Sequence, residues 1–210
     1  MTLDLTRAIG AISRKLTIVD HEGRPAESIV ASRHYDTPID DLWDAMTHPE
    51  RLPRWFLPVE GDLRVGGRFQ LKGNAGGEIL ECEPPARLAL TWEAGGNTSW
   101  VRVDLETQDG GTLLTLEQLA HTPPEFWEQY GPGATGVGWD LTLFGLDEYF
   151  RDEPVVVPET AEAWALSEEG KNFSRQSSEA WGAASIAAGT DPEAARAATD
   201  NTTKFYTGEG

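Results

Sequence analysis

The chain has 210 residues, 39% hydrophobic and 25% charged, the proportions of a folded domain with room for an appendage. Its formal net charge of −18 argues against nucleic acid and anionic membrane surfaces as partners, because nucleic-acid binders present a clustered basic footprint. A single cysteine, Cys82, excludes an intramolecular disulfide, and with no cationic, apolar leader and no run near the roughly 20 apolar residues of a membrane span, a cytoplasmic setting is expected.

Along the chain, residues 28–35 read as a strand running into Asp36-Thr37-Pro38, where Thr37 can cap a helix with Pro38 at its first position. Ile39, Leu42, Trp43 and Met46 recur at i, i+3, i+4 and i+7 and so share one helical face. Pro49 and Pro53 confine the next stretch to a short helical turn ending in Trp55-Phe56-Leu57.

Five extended segments come next, at 67–72, 78–82, 87–92, 99–106 and 112–119, separated by Gly-, Pro- and Asn-rich turns. Connections this short suit antiparallel hairpins, since a parallel pair needs a crossover of a dozen or more residues. Leu88, Leu90 and Trp92 share one parity, as do Val101, Val103 and Leu105, while Arg102, Asp104 and Glu106 take the other. The sheet therefore has one dry face and one wet face.

A helix over about 136–151 is the expected cover, with Trp139, Leu143, Leu146 and Phe150 as one stripe. Val137, Leu141 and Phe144 form a second stripe on nearly the opposite side, which one sheet cannot bury. Either the C-terminal part of the chain or a second copy, as in a homodimer, must cover it. Beyond Pro154 and Pro158 the composition turns to Ala, Ser and Glu, with helical runs at 159–169, 174–188 and 192–203 anchored by Trp164, Phe173, Trp181 and Phe205-Tyr206. The expected division is a domain at 1–153 and a helical extension at 154–210, docked on that domain or on a partner.

Chemistry-bearing motifs are sparse. Gly131-Pro132-Gly133-Ala134-Thr135-Gly136 matches G-x-G-x-x-G but lacks the preceding strand of a βαβ unit, so no nucleotide site is expected. His21, His34, His48 and His121 show no ligand spacing, so neither a metal site nor a cofactor is expected. There is no Gly-x-Ser-x-Gly elbow, Cys82 lies in a strand, and no catalytic residue is assigned. The eight tryptophans are the unusual feature. They read either as core or as the aromatic lining of a pocket.

Several patterns occur together in order: Thr37-Pro38-x-x-x-Leu42-Trp43-x-Ala45, Arg54-Trp55-Phe56-Leu57-Pro58, Asp62-Leu63-Arg64-Val65-Gly66-Gly67-Arg68-Phe69, the run from Gly77 to Trp92, and Gly138-Trp139-x-x-x-Leu143-x-x-Leu146. In these residues the chain resembles the START-like, or SRPBCC, superfamily, in the branch of homologues of the activator of the ninety-kilodalton heat-shock protein's ATPase. The resemblance implies an α+β helix-grip fold, in which a curved antiparallel sheet wraps a long helix, here with a helical C-terminal extension added. Members include hydrophobic-ligand carriers, polyketide cyclases and aromatases, and chaperone-associated proteins.

The leading expectation is a small, largely hydrophobic ligand in an internal cavity, with Trp55, Phe69, Leu71, Trp92, Trp100, His121, Trp139 and Leu143 as candidate lining. The alternatives are a cyclase-like enzyme using Glu117, His121 or Arg68, and an adaptor whose partner meets the extension.

Overall fold

The computed structural model describes residues 4–151, 154 and 156–209. The chain opens with helix α1, Leu5–Gly10, and the hairpin of β1, Ile12–His21, and β2, Arg24–Tyr35. Helix α2, Ile39–Thr47, and a 3-10 turn at Leu52–Arg54 lead to β3, Val59–Gly61, and β4, Arg68–Leu71. The meander continues through β5, Gly76–Glu83, β6, Arg87–Ala94, β7, Asn97–Gln108, and β8, Gly111–Ala120. Helices α3, Pro124–Tyr130, and α4, Gly133–Tyr149, come next, then α5, Pro158–Ala165, α6, Glu168–Ala187, and α7, Pro192–Thr207.

All eight strands form one sheet in the order β1-β2-β8-β7-β6-β5-β4-β3, every neighbouring pair antiparallel. The register aligns the apolar parity across strands. Leu88 pairs with Val103 and Leu90 with Val101, while Leu116 and Leu114 face Val103 and Leu105 from the other side. A register shift between Ile79 and Glu81 bends β5.

The sheet curls around α4, because that helix touches strands far apart in the sheet order. The Tyr35 hydroxyl of β2 donates to the Leu143 carbonyl at 2.9 Å, and Arg33 pairs with Asp147 at 2.7 Å. The Trp139 indole N–H donates to Gln118 of β8 at 2.5 Å, and the same indole lies 5.1 Å from the Trp92 ring of β6. This is the helix-grip arrangement.

The second side of α4 is buried by the C-terminal helices. Val137 and Phe144 are almost wholly inaccessible, and they lie in clusters that include Trp181 and Phe173 of α6, with Leu141 packed against both clusters. Phe173, Ser177, Trp181 and Ser185 recur every four residues as the buried stripe of α6. Helix α7 is tied down by Thr202 Oγ1, which donates to the Tyr130 carbonyl at 2.9 Å, and by the Tyr206 hydroxyl, which donates to the Ala134 carbonyl at 2.7 Å. Asp191 accepts from the amides of Glu193 and Ala194, so Asp191-Pro192 starts α7 as its sequence suggests. Residue 153 of the expected 153/154 division lies outside the described residues.

Two local readings need correction. Thr37 does not cap α2, since its hydroxyl donates to the Asp41 carboxylate at 3.1 Å and its carbonyl accepts from Thr112 at 2.8 Å. Pro38 becomes the flanking residue and the helix begins at Ile39. Strand β1 and helix α1, which no sequence pattern announces, complete the sheet edge and the second cluster.

Candidate functional site

Between the concave face of the sheet and α4 lies a cavity of about 330 Å³. Its floor is the row of inward side chains on β6, β7 and β8, with Leu88, Leu90, Trp92, Val101, Val103, Leu114 and Leu116 at alternate positions. Its wall is one face of α4, where Trp139, Thr142, Leu143 and Leu146 obey the i, i+3, i+4, i+7 rule. Met46, Leu52, Trp55 and Phe56 close one end, and Val59, Phe69, Leu71 and Ile79 contribute the remaining side.

Polar groups are few, and several are already engaged. The Trp55 indole donates to the Ala45 carbonyl at 2.9 Å, and the Trp139 indole is held by Gln118, whose amide in turn donates to Ser99 at 2.8 Å. Thr47 and Thr142 donate back to Trp43 and Gly138 of their own helices. Among the described residues of the lining, Glu60 and Asp62 are the carboxylates and there is no Lys, Arg or His. Leu63, 45% exposed, puts an apolar side chain at the rim.

Six of the eight candidate residues meet here: Trp55, Phe69, Leu71, Trp92, Trp139 and Leu143. Trp100 and His121 do not, and their placement is a correction. Trp100 has the opposite parity to Val101 and Val103, so it stands on the outer face, with its ring 4.2 Å from His21 and 5.8 Å from His121. His121 comes just after the last residue of β8 and turns to the Pro25 carbonyl, 3.0 Å from its Nδ1.

The groups considered for acid/base chemistry also lie away from the cavity. Glu117 accepts from Ser28 and faces Arg102 on the outer face, and Arg68 is a largely exposed partner of Glu93. Burial pushes the hydroxyl of Tyr35 well above its ordinary value, and that group serves the grip on α4 instead of lining the cavity. Sequence reasoning misses the aliphatic floor and Thr142 as lining residues, although the strand parity and the helical spacing from Trp139 carry that signal.

An antiparallel sheet that grips a helix across an apolar hollow defines a START-like, SRPBCC-type protein. Residues 36–151 match the family described as Activator of Hsp90 ATPase homolog 1-like protein, and the chain belongs to that family. It is similar to CalU16 from Micromonospora echinospora, whose crystal structure is 35% identical with a TM-score of 0.67, covering 83% of this chain and 98% of that one. The solution structure of CalU16 gives 37% identity and a TM-score of 0.71, covering 85% and 97%. Protein MLL2253 from Mesorhizobium loti is 25% identical with a TM-score of 0.52, covering 58% of this chain and 95% of its own. The CalU16 likeness thus extends well beyond residues 36–151. Among proteins of curated function, none matches the chain.

Proposed function

We propose that the protein binds a small, largely hydrophobic molecule in the cavity between the sheet and α4. The observation that carries this reading is a hollow of about 330 Å³ with apolar side chains on its floor, wall and closed end. That volume stands at the lower end of the roughly 300–1,000 Å³ range of pockets that hold drug-sized ligands. A close-packed core leaves few voids larger than a water molecule. A hollow this size at the centre of the sheet therefore needs an occupant or a function.

The lining also narrows the class of ligand. A fatty acid or other anion would bring its charge towards Glu60 and Asp62, with no basic side chain among the described lining residues to receive it. A neutral or amine-bearing ring system avoids that repulsion, and it presents a flat face to Trp92 and Trp139, whose edge-to-face pair is open to further aromatic packing. Native mass spectrometry of the purified protein, followed by thermal-shift screening of neutral polycyclic, amine-bearing and fatty-acid compounds of similar size, tests this. Stabilisation by the first two groups and not by the third is the expected result. No shift from any apolar compound contradicts the proposal.

A further inference from the structure

We propose that His21, Glu22 and His121 form a binding site for a divalent first-row transition ion, zinc foremost, on the outer face of the sheet. Among the described residues, each of the three offers a ligand atom, and these atoms lie within 4.8 Å of one another. His21 ends β1, Glu22 opens the turn into β2, and His121 lies just past β8. A hundred positions separate the two histidines, so spacing along the chain conceals the pair.

The two imidazoles are prepared as ligands. Both Nε2 atoms are buried without a hydrogen-bond partner, a costly arrangement for a polar atom unless something else satisfies it. His121 Nδ1 lies 3.0 Å from the Pro25 carbonyl. A carbonyl only accepts, so Nδ1 carries the proton and Nε2 keeps its lone pair free. Fixing the tautomer through the second ring nitrogen is how metal-binding histidines are commonly oriented. The Trp100 ring packs against both imidazoles, and the imidazole centroids are 5.6 Å apart.

Glu22 provides an independent indication. It has φ 54°, and Gly23 has φ 77°, so both residues of this two-residue turn lie in the left-handed region. Such a turn favours Asn-Gly, Asp-Gly or Gly-Gly. Glutamate gains nothing there from its backbone, and strained positions of this kind cluster at functional sites. Its exposed carboxylate completes a His₂Glu set whose nitrogen and oxygen donors suit zinc.

Tetrahedral zinc with bonds of about 2.0–2.1 Å holds its ligand atoms about 3.3 Å apart. With the present separations all within 4.8 Å, closing the exposed hairpin tip inward by at most about 1.5 Å reaches that geometry. The fourth position would be left to water, and the net charge of −18 favours cation capture.

The test is titration of the full-length, tag-free chain with Zn2+ by calorimetry, paired with Co2+ absorption and thermal melting. One equivalent should bind and give the visible bands of four-coordinate Co2+. The melting temperature should rise by about 5–10 °C at a hundredfold excess of free ion over Kd. His21→Ala with His121→Ala should abolish all three signals. Glu22→Gly should melt higher than the parent without metal yet bind Zn2+ more weakly, a pairing that a mere turn residue would not give. Absence of binding, or one equivalent bound equally by the double-histidine variant, overturns the site. Unchanged Zn2+ affinity in Glu22→Gly removes that residue from it.

Discussion

At Gly136 of α4, a Cβ would lie 2.3 Å from the Trp181 ring, and at Gly133 a Cβ would meet Thr202 at 3.0 Å. Gly133 and Gly136 of the G-x-G-x-x-G match are thus explained by helices α7 and α6 pressing against α4, and Gly131 by its φ of 57° at the end of α3, not by phosphate. In an open helix, alanine would be favoured over glycine by roughly 0.5–1 kcal/mol. Here the indole is fully buried and cannot retreat, so overpacking dominates, and Gly136→Ala should lower stability by about 1–3 kcal/mol in urea denaturation. The tryptophans show how residue-level reading succeeds and fails. Trp92 and Trp139 are legible as cavity residues because the parity of β6 and the stripe of α4 both aim them inward. Trp100 is not, because counting it as a large aromatic on a sheet-forming segment overlooks its alternation with Val101. Cavity membership depends on strand phase, and bulk alone does not decide it.

Among the elements, α4 has the most demanding position, since it is covered on one side by the sheet and on the other by α6. Asp140 sits on that second side, fully buried, with its Oδ2 accepting from Arg14 Nε at 2.8 Å, Ser177 Oγ at 2.5 Å and the Trp181 indole at 3.2 Å. One carboxylate therefore joins β1, α4 and α6. The Arg14 side chain is nearly enclosed, at 7% exposure, so Arg14→Met strands the buried Asp140 charge and should cost about 3–5 kcal/mol. Burial pushes the Asp140 carboxyl above its ordinary value, with Arg14, Ser177 and Trp181 pulling against that rise. A carboxyl raised in the folded state holds its proton longer there, so its contribution is greatest at low pH and falls as pH rises through the folded value. Without Arg14 the rise is larger. The deficit of the variant relative to the parent should therefore be smaller at pH 5 than at pH 7, as chemical denaturation at both pH values would show. The same residue explains why β1 is invisible in the sequence. Its inward positions run Ile12, Arg14, Leu16, and an arginine in the dry row breaks the alternation unless its distant aspartate is known. The five-segment meander is legible because its inward rows are apolar from Leu88 to Trp92 on β6 and from Val101 to Leu105 on β7, and its turns carry Gly, Pro and Asn.

For the whole molecule, the sheet, the grip on α4 and the hollow between them form one unit. The long helix is wedged between the β-layer and the C-terminal helices, and the apolar residues on the cavity side leave a space of about 330 Å³ unfilled. Among the described residues no helix is long and apolar enough to cross a membrane. Filling the hollow should separate stability from binding, because cavity-filling substitutions commonly stabilise a fold at the expense of function. Val103 points into the cavity from the middle of β7. The most direct measurement is therefore the melting temperature of Val103→Trp beside the parent chain, each with and without the compound that stabilises the parent most. The expected variant melts at or above the parent when free and no longer responds to the compound. A folded Val103→Trp that still shows the parent's full ligand shift would place the binding site elsewhere and contradict a cavity between sheet and helix as the seat of binding.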